Sequence, residues 1–213
     1  MSQICRELLK LVANLRRCYF PFDEESIPLN GIYILFEKGE TAHGTDRIVR
    51  VGTHTGDDNL SARLWEHFIV ENKDRSIFRK HIGRAILVRD KDPFRDQWEW
   101  DLTSTKNKKK YSSKLDWNKQ KQTEMLVTKY IQKNLSFVVL PVMSKQQRLD
   151  LEGRLIGEVS RCEECGPSAL WLGKHAPARR IRQSGLWQIQ KVFGNPLTPK
   201  SFENLKHIIA SVE

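Results

Sequence analysis

Between Asn30 and Phe68 two short apolar strand patterns lead into a helix pattern, and this stretch restricts the fold more tightly than any other. It reads NGIYILFEKGE, then RIVRVGTHTG, then NLSARLWEHF. A strand sends successive side chains to opposite faces, so Ile32, Ile34 and Phe36 share one face and Tyr33 takes the other. On the second strand Val49 and Val51 fall on one face and Arg50 on the other. With the aliphatic faces packed on a core, Tyr33 and Arg50 are expected together on the opposite face, where a substrate reaches them. Asp57, Asp58 and Asn59 then offer caps for a helix from about Leu60 to Val70. Leu60, Leu64 and Phe68 form its buried stripe, and Arg63 and His67 lie one turn apart on a neighbouring face.

The order Gly31-Ile32-Tyr33, then Arg50-Val51-Gly52, then a helix carrying Arg63 and His67 resembles the catalytic module of the GIY-YIG nuclease superfamily. WLG at Trp171 to Gly173 and SGLW at Ser184 to Trp187 extend the resemblance to a group of bacterial GIY-YIG proteins of about this length. Two departures stand out: Arg50 occupies the place of the second tyrosine, and the gap between the motifs exceeds a tight hairpin. The resemblance implies an α/β chain of the α+β kind, with a small, mostly antiparallel sheet flanked by helices. It further implies metal-dependent DNA endonuclease activity, with Tyr33 at the attacking water and Arg63 on the scissile phosphate. His67 serves as a second base or as a partner of the water. A glutamate on a late helix holds Mg2+ or Mn2+.

The expected metal ligand is Glu152. On a helix from about Ser144 to Arg161, Leu149, Leu155, Ile156 and Val159 mark the inward stripe, and Glu152 falls inside it. A carboxylate so placed must pair with a cation, change its protonation or bind a metal, because unpaired burial is costly. By the resemblance it matches the metal position, while an arginine salt bridge is the structural alternative; Glu158 and Glu124 are weaker candidates. One carboxylate is a thin site for Mg2+, so waters and substrate phosphate must complete the octahedron. A free phenol titrates near about 10, so a tyrosine base needs help. A cation beside it, as Arg50 is expected to be, favours the phenolate. His54 in the turn after Gly52 is a further candidate, and Gln188 or Asn195 the nearest substitutes for an asparagine that many superfamily members carry.

Composition enters through charge. Thirty-six Lys and Arg against 26 Asp and Glu leave a formal charge of +10, which suits a polyanionic partner. In NKDRSIFRKHIGRAIL, Arg79, Lys80 and Arg84 alternate with apolar residues, as expected of a loop docked on the core that meets a phosphate backbone. Lys108, Lys109 and Lys110 belong to a basic insertion expected over 93–122, inside one domain spanning 1–213. Trp98, Trp100 and Trp117 in that insertion are expected to pack down on the domain. The expected partner is duplex DNA; one active site cuts one strand, so a double-strand cut implies a dimer or sequential nicks.

Helices are further expected at Ser2 to Arg17, Lys119 to Lys133 and Pro199 to Val212, and a strand at Leu135 to Met143. Of the four cysteines only Cys162 and Cys165 have metal-like spacing, and a structural zinc site needs two more ligands. Cys5 and Cys18 are too far apart in sequence to read as that pair, although the fold could bring them there in space, and reduced structural thiols are the expectation. No run reaches the roughly 20 apolar residues of a membrane helix, and the first residues read as an amphipathic helix with no leader pattern. A cytoplasmic protein without membrane contact is expected. Besides the endonuclease stand two other readings on this scaffold: a catalytically inactive nucleic-acid-binding protein and a module that binds small molecules or proteins.

Overall fold

The computed structural model describes residues 3–211. In chain order they form α1 (Gln3–Ala13), β1 (Cys18–Tyr19), β2 (Gly31–Ala42), β3 (Thr45–Thr53), α2 (Leu60–Phe68) and α3 (Ile77–Arg89). There follow α4 (Arg95–Trp98), α5 (Thr105–Tyr111), α6 (Trp117–Asn134), β4 (Leu135–Pro141), α7 (Lys145–Arg161), α8 (Arg179–Ser184) and α9 (Pro199–Ala210). Ser2 and Val212, expected at helix ends, lie outside the described residues. No helix among the described residues is long and apolar enough to cross a membrane.

The strands make one antiparallel sheet in the order β1-β4-β2-β3, so the expected α+β class holds. Both of its faces are covered. On one, Ile32, Ile34 and Phe36 of β2 join Ile48, Val51, Val138 and Leu140 beneath Leu8 of α1, Leu155 of α7 and Leu205 of α9. On the other, Tyr33, Leu35, Val49 and Phe137 meet Leu64 and Phe68 of α2, Phe78 and Ile82 of α3, and Val127 and Ile131 of α6. A sheet buried on both sides reads as nearly continuous apolar strands, and β2 is buried without a break from Gly31 to Glu37.

A bulge corrects the expected facing of β3. Leu35 pairs with Arg50 but Phe36 pairs with Ile48, which leaves Val49 as an extra residue. Val49 therefore packs on the same side as Tyr33, while Val51 joins Ile48 on the far side. Beyond β3 the sheet edge is closed by the tail: Trp187 N donates to Val49 O at 2.7 Å, and Val51 N donates to the Gln188 side chain at 3.1 Å.

The segment expected as a basic loop is α3. Its helical signal is overlaid by charge: Phe78, Ile82 and Ile86 recur at helical spacing, and Ser76 caps the helix by accepting from Arg79 N. Phe78 and Ile82 have no exposed surface, each worth on the order of 2–3 kcal/mol of burial. In the 93–122 stretch Trp98 is buried and Trp100 stacks on Tyr111 with ring centroids 4.8 Å apart, as expected. Trp117 does not pack down; it is 53% exposed.

Candidate active site

Tyr33 stands on the central strand directly opposite Gly52 of β3. The phenol lies against the glycine backbone so closely that a Cβ at position 52 would overlap it, which explains why glycine ends the second motif. Tyr33 Oη is 2.7 Å from His67 Nε2, and Arg50 Nε donates to the same oxygen at 3.3 Å. Arg50 in turn donates to Trp187 O at 2.8 Å, and its guanidinium lies 5.0 Å from the Phe78 ring centroid. His67 Nδ1 is 2.7 Å from Ser76 Oγ, the cap of α3.

These contacts orient the protons. Arginine only donates, so Tyr33 Oη accepts from Arg50 and points its own hydrogen at His67 Nε2. The other ring nitrogen then carries its hydrogen toward Ser76. Burial, together with the positive fields of Arg63, Arg50 and Arg79, holds His67 well below the ordinary histidine range, so it is the neutral acceptor this line requires.

The expectation that Tyr33 and Arg50 share a face is met, but that face is not open to solvent. Tyr33 and His67 are 0% exposed and Arg50 is 7% exposed. Arg63 sits apart from them at the rim, half-buried, donating to Glu66 at 2.8 Å and to Arg75 O at 3.0 Å. His54 is a structural staple: Gly31 N donates to its Nε2 at 3.3 Å and its Nδ1 is 2.7 Å from Gly56 O.

Glu152 is not brought to this group. Helix α7 packs on the sheet face away from Tyr33, and its buried residues include Arg148, Leu151, Leu155, Ile156, Val159 and Glu158, the last accepting from Leu197 N at 3.2 Å. Glu152 lies beside that stripe, 2.5 Å from Lys191 Nζ. The carboxylate that does approach the group is Glu124 of α6, buried to 2% exposure. It accepts from Lys73 N at 2.5 Å and from Arg79 at 2.8 and 3.2 Å. Arg79 also donates to His67 O at 3.2 Å, so the Arg79–Glu124 pair braces the histidine from behind. Sequence reasoning gives Glu124 only a minor place; its spacing with Val127 and Ile131 on α6 is the signal that could have raised it.

Divalent metal ions of the Mg2+ kind need open carboxylate oxygens. Glu152 has a lysine on its carboxylate and the sheet between it and Tyr33, and Glu124 holds a guanidinium where a metal would sit. Neither fits as a ligand beside Tyr33.

Of the expected phosphate contacts, Arg79 is fully buried in the Glu124 pair, which removes it from the surface. Lys80 donates to Glu99 O at 3.0 Å, and Arg84 forms a two-point pair with the Glu99 carboxylate. Lys108, Lys109 and Lys110 are exposed on α5.

The tail motifs have a structural role. The indole nitrogens of Trp171 and Trp187 both donate to Glu37 Oε2, at 3.0 and 2.8 Å, and Tyr130 Oη also donates to Glu37. This anchors the segment whose Trp187 carbonyl holds Arg50. A model of the GIY-YIG domain matches residues 3–213. No curated protein and no solved structure matches the chain.

Proposed function

Because the chain belongs to the GIY-YIG domain family, a family of phosphodiester-cleaving nucleases, we propose that it is an endonuclease in which Tyr33 is the base, positioned by His67 and Arg50. The observation that carries this is the hydrogen-bonded line Arg50–Tyr33–His67–Ser76. A phenol that has passed its proton to a neutral imidazole can take one from water, and the Arg50 donor stabilises the negative charge that develops on Oη. Three arginine fields oppose charge on His67. A phosphodiester docked at the rim beside Arg63 offsets part of that field, which couples substrate arrival to proton transfer. Lys108, Lys109 and Lys110 add phosphate contacts that hold duplex DNA without reading its sequence. GIY-YIG nucleases are typically dependent on a divalent metal, but Glu152 and Glu124 do not fit one here, so no step passes through it.

One observation favours a second reading, a nucleic-acid-binding protein without turnover: Tyr33 and His67 are sealed from water. The two are separated by nicking of supercoiled plasmid in Mg2+, Mn2+ or EDTA, run with Tyr33→Phe and with a DNA-binding titration. Nicking that Tyr33→Phe lacks supports the enzyme. Salt-sensitive binding with no nicking under any condition supports the second reading.

A further inference from the structure

We propose that Cys5, His43, Cys162 and Cys165 form a structural zinc site that fastens the first helix and the β2–β3 turn to the end of α7. Their ligand atoms all lie within 4.8 Å of one another, although the residues come from opposite ends of the chain. Cys5 belongs to α1, His43 to the turn between β2 and β3, Cys162 caps α7, and Cys165 ends the short 3-10 turn that follows. Cys18 is on β1 and outside the group.

The spacing suits a tetrahedral ion. Zinc–sulfur bonds of about 2.3 Å and zinc–nitrogen bonds of about 2.0 Å put ligand atoms roughly 3.5–3.8 Å apart. Cys5 Sγ and Cys165 Sγ are 3.5 Å apart, within that range, while His43 Nε2 at 3.1 Å from Cys162 Sγ is a few tenths of an ångström short of it and would move apart around an ion. The sulfur pair is far beyond the disulfide length of about 2.05 Å. Three sulfurs and one imidazole with no open position make the donor set of a closed structural site, and thiolates select zinc over the oxygen-loving cations.

Two local features point to a ligand. His43 is at the tip of a two-residue hairpin turn with φ of 53°, followed by Gly44 at 78°. Such left-handed pairs favour Asn-Gly, because both central residues need positive φ, which most side chains resist. His43 instead turns its ring inward until the side chain is 1% exposed. Its Nδ1 is buried 3.0 Å from Glu164 Oε2 without forming a hydrogen bond, and its Nε2 lies on the sulfur side.

On this proposal Cys5, Cys162 and Cys165 are ligands, and Cys18 alone of the four cysteines keeps the expected role of a reduced thiol. The cluster lies on the sheet face away from Tyr33, so its role is to fix the scaffold.

The test is metal analysis of the reduced full chain, grown in zinc-sufficient medium and purified without chelator. One zinc per chain is expected, and the chelator-stripped protein titrated with Co2+ should show thiolate-to-cobalt charge-transfer bands. Cys162→Ser should lose the zinc, and Cys18→Ser should keep it. His43→Asn suits the turn and so preserves the hairpin; it should release zinc to EDTA at least about tenfold more readily. A chain that is zinc-free as purified and lacks the cobalt bands overturns the site. So does zinc that survives Cys162→Ser or is lost in Cys18→Ser. None of these readouts depends on nuclease activity.

Discussion

Tyr33 Oη and His67 Nε2 are 2.7 Å apart in a space that solvent does not enter, so each is the other's partner in place of water. Tyr33→Phe leaves His67 Nε2 and Arg50 Nε facing a ring edge. The expected cost is about 1–3 kcal/mol of stability, with nicking abolished and DNA affinity unchanged. Urea denaturation beside plasmid nicking checks it; a variant that nicks at the wild-type rate removes Tyr33 from the reaction.

Gly52→Ala places a methyl group inside the Tyr33 phenol. Overpacking of a filled interior costs roughly 1–3 kcal/mol, and displacement of the ring breaks the contacts to His67 and Arg50. Loss of stability and of nicking together is expected. Wild-type stability in denaturant would mean that the ring has room to move.

The buried histidines set an acid limit to stability. Burial, then Arg84 and Arg50, lower His81 to about 3, and Arg84 Nη1 is 3.0 Å from its Nδ1. His67 is lowered well below the ordinary value by burial and three arginines. Both folded values lie below the unfolded ones, so the unfolded chain binds protons first as the pH falls. Stability from keeping them neutral is complete above pH about 6.5 and declines below it, at about 1.4 kcal/mol per unit for each histidine. Denaturation midpoints measured between pH about 7 and about 5 should fall accordingly, and His81→Gln should flatten the slope.

Two sets of basic residues should behave in opposite ways. Replacing Lys108, Lys109 and Lys110 by alanine leaves stability unchanged, weakens DNA binding and reduces the log–log salt slope by about 0.9 for each phosphate no longer neutralised. Arg79→Ala leaves the Glu124 carboxylate buried without its cation, which costs about 3–5 kcal/mol. Fluorescence anisotropy across a salt series, beside urea melts, reads both effects.

Glu152→Ala removes a carboxylate that touches Lys191 at the edge of α7. A stability change below about 1 kcal/mol is expected, with nicking retained. Nicking lost at unchanged fold would put Glu152 back in the reaction as a metal ligand.

The elements were legible in the sequence where one period ran undisturbed. Ile32, Ile34 and Phe36 alternate against Tyr33, and Leu60, Leu64 and Phe68 recur by turns, so β2 and α2 were readable from local spacing. Helix α3 was not, because Arg79, Lys80, His81 and Arg84 interrupt its apolar stripe; two of these four, Arg79 and His81, are buried in polar contacts and only look like surface residues in one dimension.

The sequence by itself determined the strand pair, the helix that follows it and the residues Tyr33, Arg63 and His67 that carry the family resemblance, because backbone period and motif order are local properties. Tertiary structure decided the rest. The bulge at Val49 chose which β3 side chains face Tyr33, and the tail anchored through Trp171 and Trp187 closed the edge beside Arg50. Pairing with Arg79 and Lys191 decided the state of Glu124 and Glu152, and the fold gathered Cys5 and His43 onto Cys162 and Cys165. The physical reason is common to all of these: burial and electrostatic partnership depend on which distant segments meet, and spacing along one segment carries no record of that meeting.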